Sequence, residues 1–415
     1  MRKAPTTRKL SKNSSLIKKE KILGKLKNKS VLLGVCGGVA AYKTVEFVRR
    51  LTDEGASVSV IMTGAAGQFI TPLSLEVASR NKVYTSLFDA PMAHIDLPAK
   101  ADVMVIAPAT ANIIAKFANG IADDLLSTCL LSYQGSVVIA PSMNWKMYEN
   151  KVLQENLGKI RARGVLQVGP EKGPLACGEE GPGRLSETAD IVEAVRMAVT
   201  KKDLSGKKIL VTAGPTREYI DPVRFISNRS SGKMGYALAM AARDRGAEVT
   251  LVSGPSSLKT PLGVRFVSVE TSEEMLDAVT SETGDDTTLL IMAAAVADFK
   301  PGERASAKLE KSENVSVTLH KADDIISHIT GRSNRPFVIG FAAETGNNVD
   351  RAEKKMQKKN MDMIVFNDVS EPGAGFEVDT NRVVIIDRKG RTATELLSKD
   401  SVADMVLDRF LENSP

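Results

Sequence analysis

Two glycine-rich segments contain the residue types that bind anions. In Gly34-Val-Cys-Gly37-Gly38, the glycines follow an apolar run and precede a helical pattern, so backbone amides and a helix dipole could hold a phosphate. Residues 227–235, SNRSSGKMG, combine hydroxyls, an amide, two cations and two glycines before another helical pattern. The alternatives are a tight turn for the first segment and helix capping for the second, and the residues alone leave them open.

Neither segment matches a standard nucleotide-binding motif. The first is not G-x-G-x-x-G, and the strand that follows it ends at Thr63, where NAD-binding folds place an acidic residue. Ser231-Gly232-Lys233 resembles the end of a Walker A loop, but Ser227 replaces the earlier glycine and no Ser or Thr follows the lysine. The sequence therefore disfavours a nicotinamide enzyme and excludes a P-loop ATPase.

The few cysteines and histidines limit metal and redox chemistry. No two of them have metal-ligand spacing, so a structural zinc site is not expected. Three cysteines cannot form a disulfide framework, which predicts a reducing, cytoplasmic location. No apolar run reaches the length of a membrane span, so we expect no membrane partner. The residues in question are Cys36, Cys129, Cys177, His94, His320 and His328.

The charge is concentrated at the amino terminus. The chain has 415 residues and a net charge of +6, and its first 30 residues contain eleven Lys or Arg and one Glu. The remainder has 45 basic and 49 acidic residues, which disfavours a nucleic-acid partner. We predict a disordered basic extension at 1–29, with contact to a membrane surface or a polyanion as the alternative.

Apolar strands alternate with helical patterns along the whole chain, which predicts an α/β fold with parallel sheets. The pattern restarts after a polar linker at 201–208, so we predict two tandem Rossmann-like doubly wound domains, flavodoxin-like at 30–200 and a second at 201–415. Strands are predicted at 31–35, 57–62, 103–107, 137–140, 165–168, 209–212, 248–252, 289–292, 338–341, 363–366 and 383–387, and helices at 40–53, 234–245 and 394–411.

Longer motifs resemble two enzyme families in a fixed order. GVCGGVAAYK (34–43), AHIDLP (93–98), APATANIIAKFANGIADDLLS (107–127), PSMNWKMYEN (141–150) and LACGEEGPGR (175–184) resemble the flavin-dependent cysteine decarboxylases. TAGPTREYIDPVRFISNRSSGKMG (212–235), AAAVADFKP (293–301), GFAAET (340–345) and FNDVS (366–370) resemble the bacterial phosphopantothenate–cysteine ligases. Together, over about 30–410, they resemble the bifunctional phosphopantothenoylcysteine decarboxylase/phosphopantothenate–cysteine ligase family of coenzyme A biosynthesis.

For the first half, the resemblance implies an FMN-dependent decarboxylation of 4'-phosphopantothenoylcysteine. His94 matches the family's active-site histidine, a base for the substrate thiol. Asn144 would bind the substrate carboxylate. Cys177 would donate a proton from a mobile Gly/Pro-rich stretch at 169–183. The residues expected to contact FMN are Gly37, Gly38, Val39, Thr63, Phe69, Thr110 and Asn112.

For the second half, the resemblance implies ligation of 4'-phosphopantothenate with cysteine through an acyl-cytidylate made from CTP. Asn228 matches the residue that fixes this intermediate, Arg224 would bind phosphopantothenate, and Lys308 matches the catalytic lysine on a closing loop. Mg²⁺ is implied by the triphosphate, with no protein ligand assigned. The residues expected to bind CTP are Ala293, Ala294, Asp298, Lys308, Asp324, Ile325, Phe341, Lys355 and Lys359.

One departure from the family leaves the nucleotide open. Where the family has Asn-Pro-Asp-Ile, this chain has Ala322-Asp-Asp-Ile325, so the choice between CTP and ATP is undecided. The resemblance also implies a homo-oligomer with decarboxylase trimers and ligase dimers. The alternatives are a flavin-dependent decarboxylase of another cysteine-containing substrate with a degenerate ligase half, and a non-enzymatic flavin- or nucleotide-binding regulator.

Overall fold

The fold is described from a computed structural model, which describes residues 24–175, 178–310, 316–346 and 348–414. Most of the basic extension at 1–29 lies outside these residues, so its disorder stays a prediction. Residues 24–29 are the exception, because the Leu26 side chain is fully buried in the core of the first half. The packed part of the chain therefore begins before residue 30.

The first half forms a six-stranded parallel sheet between two layers of helices. In chain order its elements are β1 (Ser30–Val35), α1 (Thr44–Asp53), β2 (Ser57–Met62), α2 (Pro72–Ser79), β3 (Val83–Tyr84), α3 (Ala93–Ala99), β4 (Val103–Ala109), α4 (Ala111–Asn119), α5 (Leu125–Ser132), β5 (Ser136–Pro141), α6 (Trp145–Tyr148), α7 (Lys151–Ala162), β6 (Leu166–Gln167), β7 (Glu171–Pro174), β8 (Glu180–Arg184) and α8 (Thr188–Val199). The order in the sheet is β3-β2-β1-β4-β5-β6, and β7 and β8 form a separate antiparallel hairpin.

The second half forms an eight-stranded sheet. Its elements are β9 (Lys208–Ala213), β10 (Arg217–Tyr219), β11 (Phe225–Ser227), α9 (Lys233–Asp244), β12 (Glu248–Ser253), β13 (Arg265–Ser268), α10 (Ser272–Glu282), β14 (Thr287–Met292), β15 (Phe299–Pro301), β16 (Leu319–Lys321), α11 (Ile325–Thr330), β17 (Phe337–Glu344), α12 (Val349–Lys358), β18 (Met363–Asp368), β19 (Thr380–Asn381), β20 (Val384–Asp387), β21 (Gly390–Ala393), β22 (Leu397–Ser398) and α13 (Lys399–Asn413). The sheet order is β13-β12-β9-β14-β17-β18-β20-β21.

The central strands are continuous apolar runs because helices cover both faces of each sheet. In β1, every residue from Val31 to Val35 is buried, and β4 is buried along its whole length. The side chains of β9 and β14 alternate between two separate cores, one on each face of the second sheet. The burial pattern therefore explains why the sequence predicted the parallel strands so directly.

The six parallel strands of each half have the same order, 3-2-1-4-5-6 in sequence terms. This order places a topological switch between the first and fourth strands, where open α/β sheets bind ligands beyond the carboxyl ends of the strands. The switch lies between β1 and β4 in the first half and between β9 and β14 in the second. The sheet orders confirm the predicted pair of doubly wound, Rossmann-like folds.

The structure corrects several element bounds. The second sheet is not wholly parallel, because β20 and β21 extend it as antiparallel strands. The last helix begins at Lys399 and not at 394, because the Ser398 hydroxyl caps its first turn and accepts from the Ser401 amide. The predicted helix at 40–53 divides into a 3-10 turn and α1, and the strand at 165–168 is reduced to β6. Leu204, inside the predicted polar linker, is fully buried.

The two halves meet through charged side chains on α8 and α9. Arg243, which is 5% exposed, donates to Asp244 Oδ1 (2.9 Å from Nε) and also to Glu193 on α8. Glu193 accepts from the Leu262 amide at 3.1 Å, and Lys259 pairs with Asp190 at 2.6 Å. A buried charge is stable only when it is paired and hydrogen-bonded, so these partners fix the junction.

Candidate active sites

A cavity of about 460 Å³ opens beside the carboxyl end of β1. Its walls come from three segments: the loop and 3-10 turn after β1, the loop after β5, and the β7–β8 hairpin. Apolar side chains form much of the surface, and two cations lie among them. The lining residues are Gly38, Val39, Ala40, Tyr42, Lys43, Ser142, Met143, Asn144, Pro174, Leu175, Gly183, Arg184 and Leu185.

Asn144 is positioned on the wall of this cavity by the start of a helix. It is the N-cap of α6, and its side-chain oxygen accepts from the Lys146 amide at 2.9 Å. The preceding Met143 amide donates to Gly183 O at 3.0 Å, which joins this loop to the β7–β8 hairpin. The Asn144 side chain therefore has a fixed rotamer at the cavity surface.

Glu179 fastens the hairpin to α6. Its two carboxylate oxygens accept from Trp145 Nε1 and Lys146 Nζ, each at 2.8 Å. These bonds, with the Lys146 bond the largest cause, hold the pKa of Glu179 below its usual value. The stretch predicted to be mobile at 169–183 thus includes a paired hairpin, and Cys177, in the connection between its strands, lies outside the described residues.

The structure places only part of the predicted FMN set on the cavity. Gly38 and Val39 line it. Gly37 has a packing reason to be glycine, because a Cβ there would be 2.5 Å from the Ala65 Cβ on the next loop. The other residues predicted to contact FMN follow β2 or β4 in the chain, and they are not among the described residues that line the cavity. They are Thr63, Phe69, Thr110 and Asn112.

His94 lies away from this wall. It is the second residue of α3, half-buried, and is absent from the described residues that line the cavity. Large apolar side chains are exposed on and near the same helix, with Phe88 90% exposed and Met92 59% exposed. Within one copy of the described chain, His94 and Asn144 therefore do not line the same cavity.

Cys36 and Cys129 are packing residues and not reactive thiols. Both are buried beneath the first sheet, in the core with α4 and α5. Burial raises the pKa of each thiol to about 12. Bonds to Thr110 oppose this shift at Cys36 without overcoming it. This agrees with the prediction that neither cysteine is a catalyst.

A thiol titration of the native chain tests this burial. With a pKa of about 12, only about one molecule in ten thousand would have an ionised Cys36 or Cys129 at pH 8. We expect a disulfide reagent to modify at most one thiol, Cys177, before unfolding and all three after it. Rapid modification of Cys36 in the native chain, located by peptide mass spectrometry, would contradict the burial.

The second candidate site lies at the switch between β9 and β14. The loop after β9 crosses the loop after β12 so closely that a Cβ on Gly254 would be 1.8 Å from Pro215 O. Thr216, fully buried, accepts from the Ala297 amide at 3.0 Å. Asn228 Nδ2 donates to Ala295 O at 3.2 Å and to Val296 O at 3.0 Å. The loops that form this crevice are therefore bonded to each other directly.

Hydrogen bonds continue from this crevice to the predicted nucleotide residues. Asp298 O accepts from the Ala322 amide at 2.9 Å, which joins the loop after β14 to the start of α11. Asp324, the N-cap of α11, pairs with Lys359 Nζ at 2.9 Å. Burial opposes ionisation of Asp324, but bonds from Lys359 and Ser327 outweigh it and hold its pKa below the usual value.

The other predicted nucleotide residues adjoin this chain of bonds. Ala293 and Ala294 follow β14 directly, and the Ala294 amide donates to Thr212 Oγ1 at 3.1 Å. Ile325 is buried beneath Asp324. Phe341 lies half-buried in β17 and Lys355 half-buried on α12. Among the described residues, neither the Phe341 nor the Lys355 side chain takes part in the series of hydrogen bonds that leads from Asn228 to Lys359.

Arg224 and the loop of Lys308 meet at a buried carboxylate. Asp221, fully buried, accepts from the amides of Arg224 (2.8 Å) and Leu309 (3.2 Å). Burial disfavours its charge, but bonds from the Val223, Arg224 and Leu309 amides hold the pKa of Asp221 below its usual value. Arg224 Nη2 also donates to Leu309 O at 3.4 Å, and the neighbouring Lys308 side chain is exposed.

Sequence reasoning missed four of these positions. Lys43, Arg184 and Glu179 all lie inside motifs that the family resemblance quotes, and the motif context alone could have suggested the cations as cavity residues. Asp221 also lies inside a quoted motif, 212–235, but the motif does not show that Asp221 bonds to a loop 88 residues away in sequence.

The described residues offer neither a metal site nor a membrane-spanning helix. They contain no group of three or more His, Cys, Asp or Glu side chains that could hold a metal ion, so no Mg²⁺ ligand is assigned. Within the same ranges, every helix is too short or too polar to cross a membrane.

Comparison with known proteins explains this pair of sites. Residues 20–200 match the Flavoprotein family model, and residues 204–413 match the model of the DNA/pantothenate metabolism flavoprotein C-terminal domain. The coenzyme A biosynthesis bifunctional protein CoaBC of Vibrio vulnificus is 45% identical over 393 residues, 93% of this chain and 98% of the relative. The chain belongs to the CoaBC family. The Escherichia coli CoaBC is also 45% identical, over 93% of this chain and 97% of its own length.

Membership of the CoaBC family confirms the resemblance that the motifs indicated. The chain is a bifunctional enzyme of coenzyme A biosynthesis, with a flavoprotein decarboxylase half and a ligase half. A crystal structure of the C-terminal domain of a CoaBC is 40% identical to this chain, covers 51% of it and all of that domain, and has a TM-score of 0.44.

A flavin cofactor follows from the Flavoprotein match, and the cavity residues fit one. Val39, Met143 and Leu175 offer apolar surface for a ring system, and Lys43 and Arg184 offer charge for a phosphate. A Cβ on Gly38 would meet no atom within 4 Å, so the backbone there is open to a ligand.

Proposed function

We propose that the chain makes 4'-phosphopantetheine in two steps. Residues 201–415 join 4'-phosphopantothenate to cysteine with CTP, through an acyl-cytidylate. Residues 30–200 then decarboxylate 4'-phosphopantothenoylcysteine with FMN. The observation that supports this most is the position of the two sites, since the residues that match each family motif lie at the carboxyl edge of their own sheet. The reducing cytoplasm is the proposed location.

In the first half, the proposed role of the chain is to hold the substrate and move protons. FMN, bound by Gly38, Val39 and the cations of the cavity, would accept and return the electrons that make loss of CO₂ possible. Asn144, fixed at its N-cap, would bind the substrate carboxylate on the cavity wall. His94 would take the thiol proton, and Cys177 would return a proton to the decarboxylated product.

In the second half, the work is charge neutralisation and orientation. The phosphopantothenate carboxylate attacks the α-phosphate and pyrophosphate leaves; the cysteine amine then attacks the acyl carbon and CMP leaves. Lys308, Lys355 and Lys359 would neutralise phosphate charge, and Arg224 would bind phosphopantothenate. Asn228, at the crevice, would orient the acyl-cytidylate. Mg²⁺ would bind as a complex with the triphosphate, and a metal ion bound in this way needs few protein ligands.

A single reaction mixture tests both steps. The purified chain with FMN, 4'-phosphopantothenate, cysteine, CTP and Mg²⁺ should yield 4'-phosphopantetheine, pyrophosphate and CMP by mass spectrometry. If only phosphopantothenoylcysteine accumulates, the ligase function is supported, and phosphopantothenoylcysteine is not the substrate of the decarboxylase half. No product with CTP but product with ATP would reassign the nucleotide, because residues 322–325 depart from the family motif.

We also propose that the decarboxylase site is completed by a second copy of the chain. His94 is absent from the cavity wall of one copy among the described residues, and the surface near it exposes Phe88 and Met92. Exposed apolar patches of this kind are typical of subunit interfaces. If the first half forms trimers and the second half forms dimers, the chain should form an assembly larger than a dimer. Analytical ultracentrifugation measures its size, and a monomer would contradict the proposal.

Replacement of Lys359 tests the nucleotide assignment. Lys359→Met removes a cation and leaves Asp324 as an unpaired negative charge at the same place. We expect the KM for CTP in ligation to rise roughly tenfold, the usual effect of losing one charge-assisted hydrogen bond. Lys358→Met, one position away and exposed, is the control. Equal KM values for the two variants would remove Lys359 from the nucleotide site.

A further inference from the structure

Lys399 is a buried cation with an unusual set of partners. It is the first residue of α13 and is 5% exposed. Its Nζ donates to Gly375 O at 2.8 Å, to Phe376 O at 3.3 Å and to Val378 O. All three ammonium hydrogens are thus used by carbonyls of a single loop.

That loop, residues 369–379, crosses the carboxyl edge of the second sheet, and we call it the crossing loop. It leaves β18 and reaches the start of α9, which follows β9, so it spans the two strands between them. Ser231 Oγ donates to Phe376 O at 2.6 Å. Lys233 Nζ donates to Glu377 O at 2.9 Å and pairs with Asp379 at 2.6 Å.

The segment 227–233 is therefore held at both ends. At one end, Ser227 Oγ donates to Thr216 O at 2.7 Å and Asn228 bonds to the loop after β14. At the other end, Ser231 and Lys233 bond to the crossing loop. Its middle, residues 228–232 between β11 and α9, has no secondary structure of its own. Such a short polar stretch needs these contacts to keep one conformation, because its backbone entropy opposes order.

We propose that Lys399 is a positioning residue of the ligase site. Its ammonium fixes the crossing loop, and the crossing loop fixes the segment that contains Asn228. The inference rests on the proposed ligase function, and it assigns a role to a residue 171 positions away from Asn228 in sequence.

The surroundings of Lys399 disfavour its charge, so the position needs a structural reason to hold a cation. Burial and the nearby Lys233 lower the pKa of Lys399 to about 8, while Asp379 opposes the shift. An apolar side chain of similar length would avoid this penalty. The three carbonyl acceptors are the feature that an apolar residue could not satisfy, because unpaired buried carbonyls are costly.

The test compares two lysine variants of the full chain. Lys399→Met should lower the kcat of ligation at least about tenfold, with the KM for CTP changed less than about threefold, because Lys359 and Asp324 lie on other elements. Decarboxylation of supplied phosphopantothenoylcysteine should be unchanged, which reports that the first half is folded, and the retained KM for CTP reports that the second half is folded. Lys399→Arg keeps the cation and its donors and should restore most of the kcat.

Lys202→Met is the matched control. Lys202 Nζ also bonds to backbone carbonyls, Asp244 O at 2.7 Å and Met197 O, but it precedes β9 at the opposite edge of the sheet. We expect its ligation rate to stay within about twofold of the unaltered chain. Hydrogen exchange should accelerate at 227–233 and at the crossing loop in Lys399→Met, and at neither in Lys202→Met.

The outcomes separate the two proposals. If Lys399→Met keeps its ligation rate, if it loses ligation and decarboxylation together, or if Lys202→Met loses as much ligation as Lys399→Met, the positioning role is wrong. If the unaltered chain forms no phosphopantothenoylcysteine, the proposed ligase function fails. Hydrogen exchange at 227–233 then still decides whether Lys399 positions the segment, and unchanged exchange would overturn it.

Discussion

Asn228→Ala is expected to lower the rate of phosphopantothenate–cysteine ligation at least a hundredfold and to leave decarboxylation intact. Asn228 bonds to Ala295 O and Val296 O, so its amide lies between the loops that follow β9 and β14. Loss of one preorganised polar contact to a reacting group typically costs about 10²–10³ in rate. The side chain is exposed, so its removal should cost little folding stability.

The measurement is a discontinuous assay of both reactions with the same protein. Phosphopantothenoylcysteine formation is followed from CTP, cysteine and phosphopantothenate, and its decarboxylation is followed when it is supplied. Asn334→Ala is the control, because Asn334 is exposed, bonds to Asp285 at 3.2 Å and precedes β17 at the other edge of the sheet. If Asn228→Ala loses both activities, the proposal that ligation and decarboxylation occur at two independent sites is wrong.

The second large effect is expected in the first half. Asn144→Asp should abolish decarboxylation, by at least about a hundredfold, while ligation continues. Aspartate is as good an N-cap as asparagine, so α6 should keep its start. A carboxylate at this position would repel the substrate carboxylate, and like charges at contact distance are strongly unfavourable. The readout is CO₂ release from supplied phosphopantothenoylcysteine.

Two further variants separate the causes. Asn150→Asp makes the same change at the N-cap of α7, where the side chain accepts from the Val152 amide at 3.0 Å, and it should leave both activities unaltered. Glu179 is close to Asn144 and would also repel the new carboxylate. If the double variant Asn144→Asp/Glu179→Gln recovers decarboxylation, the single variant lost activity because its new carboxylate repelled Glu179 on the hairpin. The carboxylate-binding role of Asn144 is then wrong.

The sequence predicted the parallel sheets well because their physical signal is local. Buried strands such as β4 are apolar along their whole length, and the glycines after β1 mark a tight loop. The strand at 383–387, β20, was predicted but not recognised as antiparallel, because strand direction depends on the connection and not on the apolar run. The polar strand β21 was not predicted. The start of α13 was misplaced because strands β21 and β22 have little apolar content.

The candidate sites were predictable where a family motif contains their residues. Asn144 and Asn228 were predicted from the motifs that resemble the two families, and the structure places Asn144 on the cavity wall and bonds Asn228 to the loop after β14. Lys399 lies outside the quoted motifs and could not be found in this way. Neither could the bonds of Asp221, although a motif contains it, because both residues depend on partners that the fold brings from distant segments. His94 does not line the cavity within one copy of the described chain, which is why a second copy is proposed to complete the site.

The junction between α8 and α9 sets how the intermediate can move. Arg243 and Glu193 bond across it, and Leu204 is fully buried in the connecting segment, so the link between the halves is packed and not a free tether. A packed link provides no swinging arm to deliver a substrate. We therefore expect phosphopantothenoylcysteine to pass from the ligase half to the decarboxylase half through solvent. Unlabelled phosphopantothenoylcysteine added during turnover should then dilute the label in 4'-phosphopantetheine made from labelled substrates.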